Sequence, residues 1–259
     1  MRRLLVVLVA VVGLSGCAGQ VPTPALFAAQ QTATDRAQER PRLFYIGLAL
    51  YPEGWSENDV VELADALQRN SQFDVVPLIA SNLDPARRRY PIAADSVIAR
   101  LVRSAADRAA RQDVVMVHIS THGARGVLAR QIGDRPPTAL TAAQLARQLA
   151  PLADQRTVII ISACYSGSLI SALRSPRRII ITAARSDRSS FGCDPDSRHT
   201  YFGEAEMRGF GERDRSLRQI FSAIRDDVAR MEREQDHTPS EPQVSVGAEV
   251  ADLYDAPLF

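Results

Sequence analysis

The sequence predicts an α/β fold with a mainly parallel central sheet and helices on both faces. Short β-branched or aromatic runs alternate with helical patterns of ten or more residues, the signature of βαβ units. Runs such as Val158-Ile159-Ile160-Ile161 are apolar on both faces, as central parallel strands must be. With 259 residues, 46% hydrophobic and 24% charged, the chain is long enough to bury a sizeable core without covalent staples. The same composition excludes a disordered tail, a collagen-like repeat and a disulfide scaffold. A count of 31 basic against 30 acidic residues, the basic ones all Arg, argues against electrostatic capture of nucleic acid.

The elements follow in order. Residues 1–16 combine a positive start (Arg2, Arg3) with an apolar run over residues 4–14, too short to span a bilayer comfortably. The run ends in Leu14-Ser15-Gly16-Cys17, which resembles the lipobox of bacterial lipoproteins. That resemblance implies cleavage before Cys17 and a lipid anchor on its thiol. Ala18 after the Cys implies the periplasmic face of the outer membrane. Residues 17–42 are rich in Pro, Gln, Thr and Ala without an apolar period and are expected to be a tether. Strands are then expected at 43–50, 73–80, 114–120, 157–162 and 179–182. Helices are expected at 57–70, 93–111, after Thr141, near 169–173 and, as an amphipathic helix, at 216–234. A Pro-containing tail, residues 248–259, closes the chain.

In open parallel sheets the reactive groups collect at the carboxyl edge of the strands. Two strands here run out into such groups: the first into Ser120-Thr121-His122-Gly123, the second into Ser162-Ala163-Cys164-Tyr165-Ser166-Gly167. A thiol entering a helix sees its positive end, and a nearby imidazole can take its proton; both favour the nucleophilic thiolate. A Gly after the His leaves room for a backbone N–H to reach a substrate carbonyl. A Cys taken alone is most often an inert small hydrophobe. The pairing with a His at the same kind of strand end argues against that here. His118 and His122 have the spacing of a helical zinc pair, but four residues along a strand separate them by about 13 Å, so His118 is expected to be a packed core residue.

These two segments resemble the catalytic signatures of the legumain-like cysteine peptidases, with their caspase-hemoglobinase fold. The similarity continues through residues 181–193, Thr200-Tyr201-Phe202-Gly203-Glu204 and Pro242-Gln243-Val244-Ser245-Val246-Gly247, and so covers residues 43–247. The resemblance implies that Cys164 is the nucleophile, His122 the proton acceptor and donor, and the N–H groups of Gly123 and Cys164 the oxyanion hole. It implies further that Ser189 and Ser190 line the primary specificity pocket and that Glu204 lies in its floor. The implied reaction is hydrolysis of a peptide or protein substrate through a thioester, with no metal or organic cofactor. Family members that read Asn use an Arg near the first strand-to-helix loop. This chain has no Arg between Arg42 and Arg69, so an acidic pocket without that Arg is expected to accept a basic or a small polar side chain. The resemblance also places Cys193 on the pocket loop, where either a free, partly buried thiol or a reversible Cys164–Cys193 disulfide is open. Two functions remain at this stage: a membrane-tethered cysteine endopeptidase of the cell envelope, or a catalytically silent lipoprotein keeping the fold as a peptide-binding or scaffolding module.

Overall fold

The computed structural model describes residues 40–259, apart from 85 and 88. The expected signal segment, Cys17 and nearly all of the expected tether lie outside the described residues. Six strands form the main sheet: β1 (Arg42–Ala49), β2 (Asp74–Ser81), β3 (Val114–Ser120), β7 (Arg156–Ser162), β8 (Arg178–Thr182) and β9 (Gln243–Val246), in the order β2-β1-β3-β7-β8-β9. The first five are mutually parallel and β9 closes the β8 edge antiparallel. A second, three-stranded antiparallel sheet is made by β4 (Gly123–Ala124), β5 (Val127–Arg130) and β6 (Thr138–Thr141).

Alternation along the strands divides the interior into two cores. Leu43, Tyr45, Met116, Val158, Ile160, Ile179 and Ile181 face one side; there they meet α1 (Gly54–Asn70), α5 (Tyr201–Gly209), α6 (Leu217–Glu234) and α7 (Ala251–Asp255). Phe44, Ile46, Val115, Val117, Ile159 and Ile161 face the other. They pack on α2 (Asp95–Arg108), α3 (Ala142–Gln148) and α4 (Ile170–Leu173). Both faces of the sheet are thus covered, which is why its central strands are mostly apolar, with His118 and Thr157 as buried polar exceptions before the terminal Ser120 and Ser162. Helix starts follow their caps: Thr141 and Gln144 form a capping box for α3, and Ser216 and Gln219 do the same for α6.

The structure corrects the expected tail. After β9 the chain makes a 3-10 turn, Ala248–Val250, then α7, and ends with Phe259 buried against Phe73 and Phe210 at ring centroid distances of 5.3 and 6.1 Å. The backbone of Phe259 is tied to Arg215 by two reciprocal hydrogen bonds of 2.7 and 3.0 Å. Four apolar side chains, Val250, Leu253, Tyr254 and Phe259, bring these last residues into the core. Phe259→Ala should therefore lower the unfolding free energy by about 3 kcal/mol in urea titrations, the usual cost of emptying a buried aromatic site.

Candidate active site

The pairing of β3 with β7 decides the geometry. Their parallel register runs from Val114↔Arg156 to Ser120↔Ser162, and the Thr121 N–H donates to the Ser162 carbonyl at 3.0 Å. His122 and Cys164 are each two residues past that last pair, so the imidazole and the thiol leave adjacent strands at the same edge. Gly123 holds the two segments together: a Cβ there would stand 2.4 Å from the Cys164 carbonyl oxygen and 3.1 Å from the Ala163 Cβ. The glycine is needed for the close approach of two protein backbones, a reason distinct from the substrate access expected of it.

His122 is held edge-on by two rings, Tyr51 in the segment joining β1 to α1 and Trp55 in the first turn of α1, with centroid distances of 4.4 and 5.1 Å. Burial lowers its proton affinity below the ordinary imidazole value of 6.5, with the charge of Glu53 opposing the shift in part. At neutral pH the ring is therefore a free base.

The chain turns sharply after Cys164. Tyr165 takes the left-handed conformation (φ 55°, ψ 17°) and its N–H donates to the Arg188 carbonyl at 2.8 Å, which seats the following loop against the nucleophile strand. The expected helix is short: one 3-10 turn, Ser166–Leu169, precedes the four-residue α4, so the field it adds at the thiol is that of a single turn. Ser190 surrounds the sulfur. Its N–H donates to Sγ at 3.3 Å, its hydroxyl lies 3.6 Å away, and the thiol donates to its carbonyl at 3.4 Å. The Ser189 hydroxyl donates to Tyr165 Oη at 3.4 Å. Cys164 and Cys193 are both free thiols; burial and the neighbouring Cys164 push the Cys193 thiol up.

Glu204 is the carboxylate expected in the pocket floor. It lies in the first turn of α5, its side chain about half exposed (47%), and its carboxylate pairs with Arg208 one turn on. Two further carboxylates, Asp59 and Glu206, are fully buried beneath the strands, and the sequence did not single them out. His118 is fully buried, as expected of a packed residue, but it is also polar-bonded. Its Nδ1 is 2.8 Å from the Tyr45 hydroxyl and its Nε2 is 3.3 Å from Glu206.

The sequence profile of the peptidase C13 family matches residues 103–252, more than half of the chain. The chain belongs to the peptidase C13 family. No curated protein matches it. Among solved structures, caspase-1 from Spodoptera frugiperda has a similar fold, with a TM-score of 0.53 and 17% identity over 80% of this chain and 86% of that one. The parallel sheet flanked by helices on both faces is thus the caspase-hemoglobinase fold, and this C13 member is a legumain-like cysteine peptidase acting on a peptide or protein substrate.

One further side chain of this C13 peptidase ties the loop before α5 to α1. His199 Nδ1 is 3.0 Å from Asp59 and its Nε2 is 3.2 Å from Glu62. Burial works against its protonation, but the hydrogen bond to Asp59 and the charges of Asp59 and Glu62 outweigh it, and its pKa is raised above 6.5. A folded imidazole that binds its proton more tightly than the unfolded one stabilises fully below the unfolded pKa, and that contribution is lost as the pH rises through the folded value. The loss in urea-unfolding free energy caused by His199→Gln should accordingly be larger at about pH 6 than at about pH 9.

Proposed function

We propose that this peptidase is an endopeptidase tethered to the cell envelope by a lipid on Cys17, with Cys164 as nucleophile and His122 as general base and acid. The observation that supports the reading is the β3–β7 register, in which His122 and Cys164 each follow the last pair, Ser120 and Ser162, by two residues at the carboxyl edge of a C13 family sheet. In the forward step His122 takes the thiol proton while Sγ attacks the substrate carbonyl carbon. The N–H groups of Gly123 and Cys164 hold the oxyanion, and His122 then protonates the departing amine. Water, activated by the same imidazole, hydrolyses the thioester and restores the thiol. The lowered proton affinity of His122 suits the first step, since the ring is unprotonated when the substrate arrives. The thiol's bond to the Ser190 carbonyl must open before attack, so the segment bearing Ser189 and Ser190 shifts or yields to the substrate.

Ser189 and Ser190 form the wall of the specificity pocket nearest the sulfur, and Glu204 supplies its acidic group. Because Arg208 already neutralises Glu204, a basic substrate side chain binds by displacing Arg208, whereas a small polar one leaves the pair intact.

A peptide library incubated with wild type and with Cys164→Ala separates this reading from a silent binding module. Cleavage by wild type should fall at least about 10³-fold in kcat/KM in Cys164→Ala and in His122→Ala. No cleavage by either protein, together with no iodoacetamide labelling of Cys164 at neutral pH, would favour the scaffolding module. Glu204→Gln should reduce kcat/KM for basic residues before the scissile bond relative to small polar ones, by about tenfold if the carboxylate reads the side chain. Labelled palmitate should be incorporated by wild type and lost in Cys17→Ser.

A further inference from the structure

A buried polar knot lies under the catalytic edge, and none of the steps above uses it. Asp59, in the second turn of α1, is completely buried and accepts four hydrogen bonds. Oδ2 accepts from the Ser120 hydroxyl and from the Thr200 hydroxyl, both at 2.9 Å; Oδ1 accepts from His199 Nδ1 at 3.0 Å and from the Thr200 N–H at 3.3 Å. Since the Thr200 hydroxyl spends its hydrogen on Asp59, the 3.0 Å bond between Thr200 and Ser162 has the Ser162 hydroxyl as donor. The same Thr200 oxygen accepts from the Gly203 N–H at 2.8 Å and so caps α5.

The connectivity selects the catalytic strands. Ser120 is two residues before His122 and Ser162 two residues before Cys164, and both face the side of the sheet on which α1 and α5 pack. Further back on that face the same two strands carry Met116, Val158 and Ile160, which are apolar, and His118, whose ring meets Tyr45 and Glu206 instead of a hydroxyl of the opposite strand. The hydroxyls thus appear at the one rung from which the reactive side chains depart. Room for the carboxylate is also specific: a Cβ on Gly203 would stand 2.1 Å from Asp59 Oδ1. Burying an ionised carboxylate is costly unless every lone pair is met, and here the donors come from one catalytic strand end, from the residue that holds the other, and from His199.

We propose that Asp59 is a positioning residue for the reaction. Through Ser120 on one side, and through Thr200 and Ser162 on the other, it fixes the spacing of His122 and Cys164. The inference rests on the assignment of that pair as the catalytic groups. A displacement of about 1 Å between reacting groups can cost about 10²-fold in rate without altering substrate binding, so the effect belongs in kcat rather than KM.

The test compares Asp59→Asn, Thr200→Val and Thr200→Ser in the full chain. It uses kcat and KM on a cleaved peptide, the iodoacetamide alkylation rate at Cys164 followed by peptide mapping, and thermal unfolding as a check on the fold. Asp59→Asn and Thr200→Val should lower kcat about 10²-fold with KM changed less than about threefold, and both should change the alkylation rate. Thr200→Ser keeps the hydroxyl and should restore both readouts to within about threefold of wild type. A folded Asp59→Asn with wild-type kcat and alkylation overturns the proposal, and so does a Thr200→Val variant indistinguishable from Thr200→Ser. If Asp59→Asn does not fold, the two Thr200 variants decide alone. If wild type cleaves no peptide, the peptidase assignment fails separately. The alkylation rates still decide whether Asp59 governs the thiol's surroundings, because they need no substrate.

Discussion

The parallel pairing of β3 with β7 is the constraint on which the rest of the molecule depends. Its register brings Ser120 opposite Ser162, and everything reactive is counted from that rung. A slip of one residue would turn each strand's side chains to the opposite face, driving His118 and the hydroxyls of Ser120 and Ser162 into the wrong core. The register is held because both faces are buried and because the side chains differ between them. Val115, Val117, Ile159 and Ile161 fill the core over α2, α3 and α4, while Met116, Val158 and Ile160 fill the one under α1 and α6. Packing that merely stabilises the sheet therefore also aligns the imidazole with the thiol.

Polar groups enter this interior only in connected sets. The Tyr45 hydroxyl, 2.8 Å from His118 Nδ1, donates to the Val60 carbonyl at 2.7 Å, and His118 Nε2 reaches Glu206. Burial raises the Glu206 pKa, with the His118 charge opposing it, and the same carboxylate raises the proton affinity of His118 against its own burial. A few residues towards the carboxyl edge, Asp59 gathers donors from Ser120, His199 and Thr200. Both sets join α1 or α5 to β3, so the helices on this face are fixed to the catalytic strand by directional bonds as well as by apolar contact. On the opposite face, over α2, α3 and α4, the core is mostly apolar, and the buried Arg178 at its edge donates to the Leu149 and Leu173 carbonyls.

What the sequence made legible follows from the same physics. The inner strands β1, β3, β7 and β8 could be placed to within about two residues because burial on both faces writes an almost unbroken apolar run, and the more exposed β2 by its β-branched and apolar residues. Thr141 announced α3 because its side chain and that of Gln144 cap the helix end. The small sheet β4–β6 went unread: strands of two and four residues containing Gly123, Arg130 and Thr138 have no period long enough to recognise. Residues 248–259 read as a tail because their four buried anchors, Val250, Leu253, Tyr254 and Phe259, are scattered among polar and small residues. At the site, His122 and Cys164 were visible because each ends an apolar run. Asp59 was not, because Glu57-Asn58-Asp59 looks like the solvated first turns of any amphipathic helix. Only the tertiary fold shows that Asp59 turns under the sheet while Glu57 does not. His199 and Glu206 were hidden for the same reason, and a signal for them exists only in the partners they meet.

The pocket chemistry turns on how firmly Glu204 is held. Its pair with Arg208 spans one helical turn, and the two side chains are 47% and 44% exposed. Ion pairs of that exposure contribute roughly 0–1 kcal/mol, because water screens them and both side chains lose freedom in forming them. Arg208 also has somewhere else to go: Asp227 on α6 lies 3.6 Å from its guanidinium. Releasing Glu204 to an incoming cation thus costs little, since the displaced Arg208 keeps a carboxylate partner and remains in water. On the proposed assignment the acidic group of the pocket is paired with Arg208 at rest and available on demand. Discrimination between a basic and a small polar substrate side chain then depends on the difference between two weak, solvent-screened pairs, and a strong preference requires contacts from Ser189 and Ser190 in addition to charge.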